Sequence, residues 1–199
     1  MTLPLRSTLS AIFALSLAAC HAQPAATPTE TPPLAGASIG GPFTLTDKTG
    51  KTVRWADFNG RYRIVYFGYS FCPDACPTDV AAMMQGFNRF DKAHRALAAQ
   101  VQPIFITIDP ARDSPVIAGQ FAAAFSPRLL GLSGTPEQIA QAAKAFAVYY
   151  AKGAQSPGGY IMDHSRIAYL MGRRGEPIAM LPVDKGPDAV AEVLTRWVR

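Results

Sequence analysis

Apolar positions along this chain fall into two periods, and the switches between them outline a fold. Phe43-Thr44-Leu45-Thr46 and Thr52-Val53-Arg54-Trp55 alternate around the turn-forming Asp47-Lys48-Thr49-Gly50, which predicts a hairpin. Residues 63–69 and 103–109 are β-branched and aromatic runs, the mark of buried strands. Between them Val80, Met83, Met84, Phe87 and Phe90 recur at helical spacing, predicting a helix from about Pro77. Residues 115–125 also read as helical. Thr135-Pro136-Glu137-Gln138 has the form of a capping box with proline in the first turn, and the helix it opens carries Ile139, Ala142, Ala143 and Phe146. Segments 148–151 and 160–162 flank a Gly/Ser/Pro loop and predict a second hairpin. Segments 167–171 and 178–181, joined by Gly172-Arg173-Arg174-Gly175, predict a third. A last helix spans about 187–198, and no internal repeat is present.

Strands alternating with helices, closed by a hairpin and a helix, define an α/β fold with a mixed central sheet flanked by helices. The order is that of a thioredoxin-like fold. It carries an added N-terminal β-hairpin and an inserted hairpin before the loop that bears His164. Cys72 and Cys76 then lie at a strand-to-helix junction.

The N-terminus reads as targeting rather than fold. Arg6 precedes an apolar stretch, 9–17, too short to span a bilayer. It ends in Leu17-Ala18-Ala19-Cys20, which resembles a bacterial lipobox and implies cleavage before Cys20 and lipidation of its sulfur. Residues 1–19 are then a signal peptide. Residues 20–40, rich in Pro, Ala and Thr, form a tether that includes His21, and 41–199 form the domain. His21 follows the lipidated cysteine, so no aspartate retention signal is present, which in a cell with two membranes favours the outer one. The expectation is an exported, lipid-anchored protein in the periplasm or another extracytoplasmic space, where a cysteine pair is readily oxidised.

Composition narrows the class. With 49% hydrophobic and 17% charged residues in 199, the chain is globular rather than disordered. Its net charge of +5 is spread without a Lys/Arg block, so no nucleic-acid partner is expected.

The chemistry centres on Phe71-Cys72-Pro73-Asp74-Ala75-Cys76-Pro77. Thiols four positions apart rise about 6 Å along a helix, within reach of a disulfide or of one soft metal ion. A helix N-terminus favours the thiolate. A staple closing so short a loop adds little stability, which argues for chemistry over structure. Three residues separate the cysteines, whereas the thioredoxin redox motif has two, and Tyr69 stands where peroxiredoxins have threonine. His94 reads as surface. His164, in Asp163-His164-Ser165, is open to two readings, a satisfied core group or a third ligand. Asp163 reads as a supporting group or a solvated carboxylate, and Asp74 as a modulator of the thiols or a plain turn residue. Asp109, Arg112 and Asp113 read as a structural ion-pair and capping cluster. Tyr66, Phe67 and Tyr69 read as packing groups.

In order, the motifs Gly41-Pro42-Phe43-Thr44-Leu45, Tyr66-Phe67-Gly68-Tyr69, Cys72-Pro73-Asp74-Ala75-Cys76-Pro77, Asp109-Pro110-Ala111-Arg112-Asp113-Ser114-Pro115, Gly131-Leu132-Ser133-Gly134 and Asp163-His164-Ser165 resemble the Sco/SenC family. These are copper-binding assembly proteins for cytochrome c oxidase. The resemblance implies a metallochaperone that binds Cu(I) or Cu(II) through Cys72, Cys76 and His164. It implies cytochrome c oxidase subunit II, with its binuclear copper A centre, as recipient. Other copper chaperones and thiol-disulfide oxidoreductases are further expected partners. Enzymatic turnover is not required by this reading. The alternative is a thiol-disulfide oxidoreductase that reduces the cysteines of subunit II or of other exported proteins.

Overall fold

Nine strands and five helices succeed one another in the described residues, 30–156 and 159–199 of the computed structural model. They are β1 (Thr44–Asp47), β2 (Thr52–Arg54), β3 (Tyr62–Gly68), α1 (Ala75–Ala93), α2 (Arg95–Ala98), β4 (Val101–Thr107) and α3 (Pro115–Phe125), followed by β5 (Leu130–Ser133), α4 (Pro136–Ala145), β6 (Tyr150–Ser156), β7 (Gly159–His164), β8 (Ala168–Met171), β9 (Pro177–Leu181) and α5 (Pro187–Trp197). The signal peptide, Cys20 and His21 lie outside the described residues. No helix among those described is long and apolar enough to cross a membrane.

Seven strands form one mixed sheet in the order β2-β1-β5-β4-β3-β8-β9, while β6 and β7 pair apart from it. Strands β3, β4 and β5 are parallel and the other pairings antiparallel. The central pair is buried on both faces, which is why its sequence lacks alternation. Pro103 is tolerated inside β4 because β5 pairs only from Ile104 onward. The thioredoxin-like arrangement expected from the sequence is the one observed, with the β1–β2 hairpin added at one edge.

Helix α1 lays Val80, Met83, Met84, Phe87 and Phe90 on the core. Gly86 lets α5 approach it, since a β-carbon there would stand 2.6 Å from Val190 Cβ. The capping box of α4 forms as read: Thr135 Oγ1 accepts from Gln138 N, and Gln138 Oε1 accepts from Thr135 N at 2.8 Å.

Three features depart from the sequence reading. Helix α1 starts at Ala75 rather than near Pro77, so Cys76 falls inside its first turn. Strand β5 was not anticipated; it has four residues, one a glycine, and takes its conformation from pairing with β1 and β4. Residues 31–40, assigned to the tether, belong to the compact unit that begins at Thr31. Leu34 donates its N–H to Ile178 O at 3.0 Å, Gly40 donates to Ala145 O at 2.8 Å, and Leu34 and Ile39 pack on the core. Two apolar side chains and these paired backbone groups hold a segment whose composition alone reads as unfolded.

Candidate metal centre

Strand β3 ends at Gly68, and the chain then turns through Ser70 to Cys72 before α1 begins. Asp113 builds this turn. Fully buried, its carboxylate accepts the Ser70 N–H at 2.8 Å, the Ser70 hydroxyl, and the Thr107 hydroxyl at 2.7 Å. The cluster read as structural therefore anchors the cysteine turn to the end of β4.

Asp74 is the N-cap residue of α1, yet its side chain makes no capping bond. Cys72 Sγ takes over part of that role, accepting the Cys76 N–H at 3.3 Å. Hydrogen bonding from Cys76, reinforced by His164 and by backbone amides, holds the Cys72 thiol down at about 3, against the opposing effect of burial. Cys76 is fully buried, and the neighbouring Cys72 sulfur together with desolvation pushes its pKa up. One proton is thus shared unequally, with Cys72 the thiolate and Cys76 the thiol. Both cysteines are free rather than disulfide-bonded. Room for Cys76 comes from Gly68, where a β-carbon would lie 3.1 Å from Cys76 Sγ.

His164 is the last residue of β7 and reaches the cysteines from the far side. Its Nε2 stands 3.2 Å from Cys76 Sγ. Its Nδ1 lies 2.9 Å from Ser165 O. A carbonyl oxygen can only accept, so Nδ1 carries a proton, and Nε2 is the ring nitrogen that faces the sulfurs. The edges of Tyr66 and Tyr69 flank the imidazole, with centroids at 6.4 and 6.0 Å.

Arg112 ties the β6–β7 hairpin to the rest of the site. It donates to Asp109 Oδ2 at 2.5 Å and to Tyr160 O at 2.7 Å, with its guanidinium over the Tyr160 ring at 3.7 Å. Tyr160 in turn donates its hydroxyl to Asp109 Oδ1 at 2.8 Å.

Sequence reasoning missed a second layer. Asp79, 1% exposed on α1, receives a two-pronged contact from Arg166 and the Tyr66 hydroxyl at 3.0 Å. An acid three positions after Cys76, on the apolar face of a helix, was the available signal.

Other candidates are not brought to the thiols. Asp163 is exposed, with its carboxylate against Gly153, and strand alternation puts it on the face opposite His164. Asp74 is exposed as well. His94, read as surface, is half-buried, with its ring 5.2 Å from that of Phe90.

Chemically, the arrangement offers one thiolate, one thiol and one imidazole nitrogen at a strand-to-helix junction. That donor set suits a soft or borderline metal such as copper or zinc. Among the described residues, no three His, Cys, Asp or Glu side chains already stand as a closed metal-holding group. Side-chain torsions at Cys72 and Cys76 must adjust for a shared ion.

Fold and site together define a thioredoxin-like domain with a Cys-x-x-x-Cys turn facing a histidine. The chain belongs to the SCO1/SenC family, whose model matches residues 31–199. It is 36% identical over 162 residues to the human "Protein SCO1 homolog, mitochondrial", covering 81% of this chain and 53% of that protein. It is 40% identical over 161 residues to Protein SenC of Rhodobacter capsulatus, covering 79% of this chain and 70% of the other. The chain thus spans about half the length of the human relative. Among solved structures, Bradyrhizobium japonicum ScoI with copper bound superposes with a TM-score of 0.71 at 37% identity, over 80% of this chain and 99% of that one. That relative's solved chain is therefore this domain alone.

Proposed function

We propose that this protein is a copper metallochaperone for the assembly of cytochrome c oxidase, with Cys72, Cys76 and His164 as its copper ligands. Copper is the cargo. Loading it releases the shared cysteine proton and places two soft sulfur donors and one imidazole on the ion. The observation that carries this reading is the pose of His164. Its Nδ1–H is tied to Ser165 O, which leaves Nε2 aimed at Cys76 Sγ. A histidine kept only for packing needs no ring nitrogen held against a thiol. The copper-bound state of the Bradyrhizobium japonicum relative supports the same reading.

The recipient is the copper A centre of oxidase subunit II. Lipidation of Cys20 anchors the protein on the outer side of the cytoplasmic compartment, with 1–19 removed as signal peptide.

Anaerobic titration of the reduced protein with copper(I) against a chelating competitor tests the proposal, with His164→Ala and Cys72→Ser in parallel. One-to-one binding that both substitutions weaken is expected. Binding unchanged by His164→Ala overturns the ligand set and shifts the function to thiol-disulfide exchange, which needs only the cysteines.

A further inference from the structure

The end of the domain opposite the cysteines is strongly basic. Arg61 immediately precedes β3, Arg173 and Arg174 form the β8–β9 turn, Arg196 lies in the last turn of α5, and Arg199 follows that helix. Contacts gather them into one face. Gly60 N–H donates to Arg173 O at 2.9 Å, Arg173 Nη2 donates to Arg199 O at 3.0 Å, and Arg173 lies over the Tyr62 ring at 5.1 Å. The acids at this end are Glu176, Asp57 and Glu192, which lies one turn before Arg196 on α5. Glu176 stands 3.9 Å from Arg174, and Asp57 accepts the Arg54 N–H. The other end exposes Asp74, Asp163 and Asp184, with Lys152 and Lys185 beside them, and buries the carboxylates of Asp79, Asp109 and Asp113. Charge is therefore polarised along β3, across about 20 Å from Tyr62 to Gly68.

Residues 34–40 of the domain pack at the basic end. Gly40 lies against Met171 and Gly175, and Leu34 is bonded to Ile178 beside the arginine turn.

We propose that this arginine face docks on the anionic phospholipid headgroups of a membrane and so aims the Cys72, Cys76 and His164 end away from the bilayer. The face is spread over a turn, a loop and the end of a helix, which matches a planar surface of many small anions. An arginine near such a surface strengthens association by roughly fivefold, and salt screens the effect. The inference concerns the domain's orientation and needs no copper.

The test is sedimentation of residues 31–199 with vesicles of phosphatidylcholine alone or of equal parts phosphatidylcholine and phosphatidylglycerol. Using the domain isolates the face from any lipid anchor. Binding only to the phosphatidylglycerol vesicles, abolished by high salt, is expected. Arg174→Glu and Arg196→Glu should each weaken it by at least fivefold, and Lys185→Glu, at the opposite end, by distinctly less. On the vesicle, alkylation of Cys72 by a membrane-impermeant reagent should proceed at its free rate. No association at low salt, or equal weakening by Lys185→Glu, overturns the proposal. So does a strongly slowed Cys72, or equally tight binding of soluble polyglutamate, which would make the face a docking site for an acidic protein.

Discussion

Arg166 grips Asp79 with two nitrogens, Nη2 to Oδ1 at 2.7 Å and Nε to Oδ2 at 3.0 Å. Arg166 follows His164 by two residues and Asp79 follows Cys76 by three. The pair therefore clamps the histidine loop to the helix that holds the buried thiol. Tyr66 adds its hydroxyl to the same carboxylate and its ring edge to the imidazole. Burial, with the Asp79 carboxylate beside it, raises the Tyr66 pKa, which keeps it a neutral donor.

Removing the clamp should loosen the site and the fold together. Arg166→Ala leaves a buried carboxylate without its ion. The arginine side chain is 51% exposed, so water recovers part of the loss, and destabilisation should be about 1–3 kcal/mol. Arg166→Lys keeps the charge but not the fork, and should restore stability more than copper affinity. Urea unfolding and copper(I) competition on the same proteins measure the two. Unchanged affinity in Arg166→Ala would show that the clamp does not position His164.

Gly68 makes the complementary prediction from the other side of Cys76. A β-carbon there would sit 2.8 Å from Tyr66 Cε1 and 3.1 Å from Cys76 Sγ. Gly68→Ala must push the ring, the thiol or both. Copper(I) affinity should fall by roughly 10–100-fold, the range for disturbed support of a metal ligand. Circular dichroism should remain that of the folded protein. Affinity within a factor of two of wild type would mean that Cys76 has slack.

How much of this was readable in advance depends on the range of the contacts concerned. Local rules found the α4 capping box, the buried β3 and β4 runs and the stripe on α1, because each is set by neighbours within a few residues. The Cys72–Cys76 spacing was readable for the same reason, and Asp163-His164-Ser165 through the family resemblance. What escaped was tertiary. Strand β5 depends on flanking strands, residues 34–40 on Ile178 and Ala145, and the burial of Asp79 on an arginine 87 positions away. Asp163 was weighed as a supporting group because it adjoins His164 in sequence, but in a strand adjacency puts two side chains on opposite faces.

The thiol pair predicts a distinctive pH dependence. Cys72 is an acid whose folded pKa, about 3, lies below the ordinary thiol value of about 8.5. Its contribution to stability is complete above the ordinary value, declines as pH falls through that window, and is lost below about 3. Cys76, shifted upward, stays protonated across the same range. In the reduced apo-protein, iodoacetamide should modify Cys72 at pH 5 and leave Cys76 unmodified. The slope of stability against pH between 5 and 8 should flatten in Cys72→Ser. A Cys72 that reacts only above pH 8 would contradict the unequal sharing of the proton.

Asp113 gives the last prediction, and separates turn architecture from ligand chemistry. It touches no sulfur, yet it receives two hydrogen bonds from Ser70 and one from Thr107 while fully buried. Asp113→Ala removes the acceptor for all three donors. The Thr107 hydroxyl also donates nowhere else that its short link to the Asp109 N–H could replace, since there it is the acceptor. Unsatisfied donors cost about 1–3 kcal/mol each when buried, and Ser70 is partly reached by water, so a loss of about 3–5 kcal/mol is expected. Asp113→Asn keeps one acceptor oxygen and should recover a good part of it. Because the cysteine turn hangs from Ser70, Asp113→Asn should also raise hydrogen exchange at Ser70 and Cys72 while leaving β8 and β9 protected. Uniform protection across both regions would mean that the turn holds its shape without Asp113.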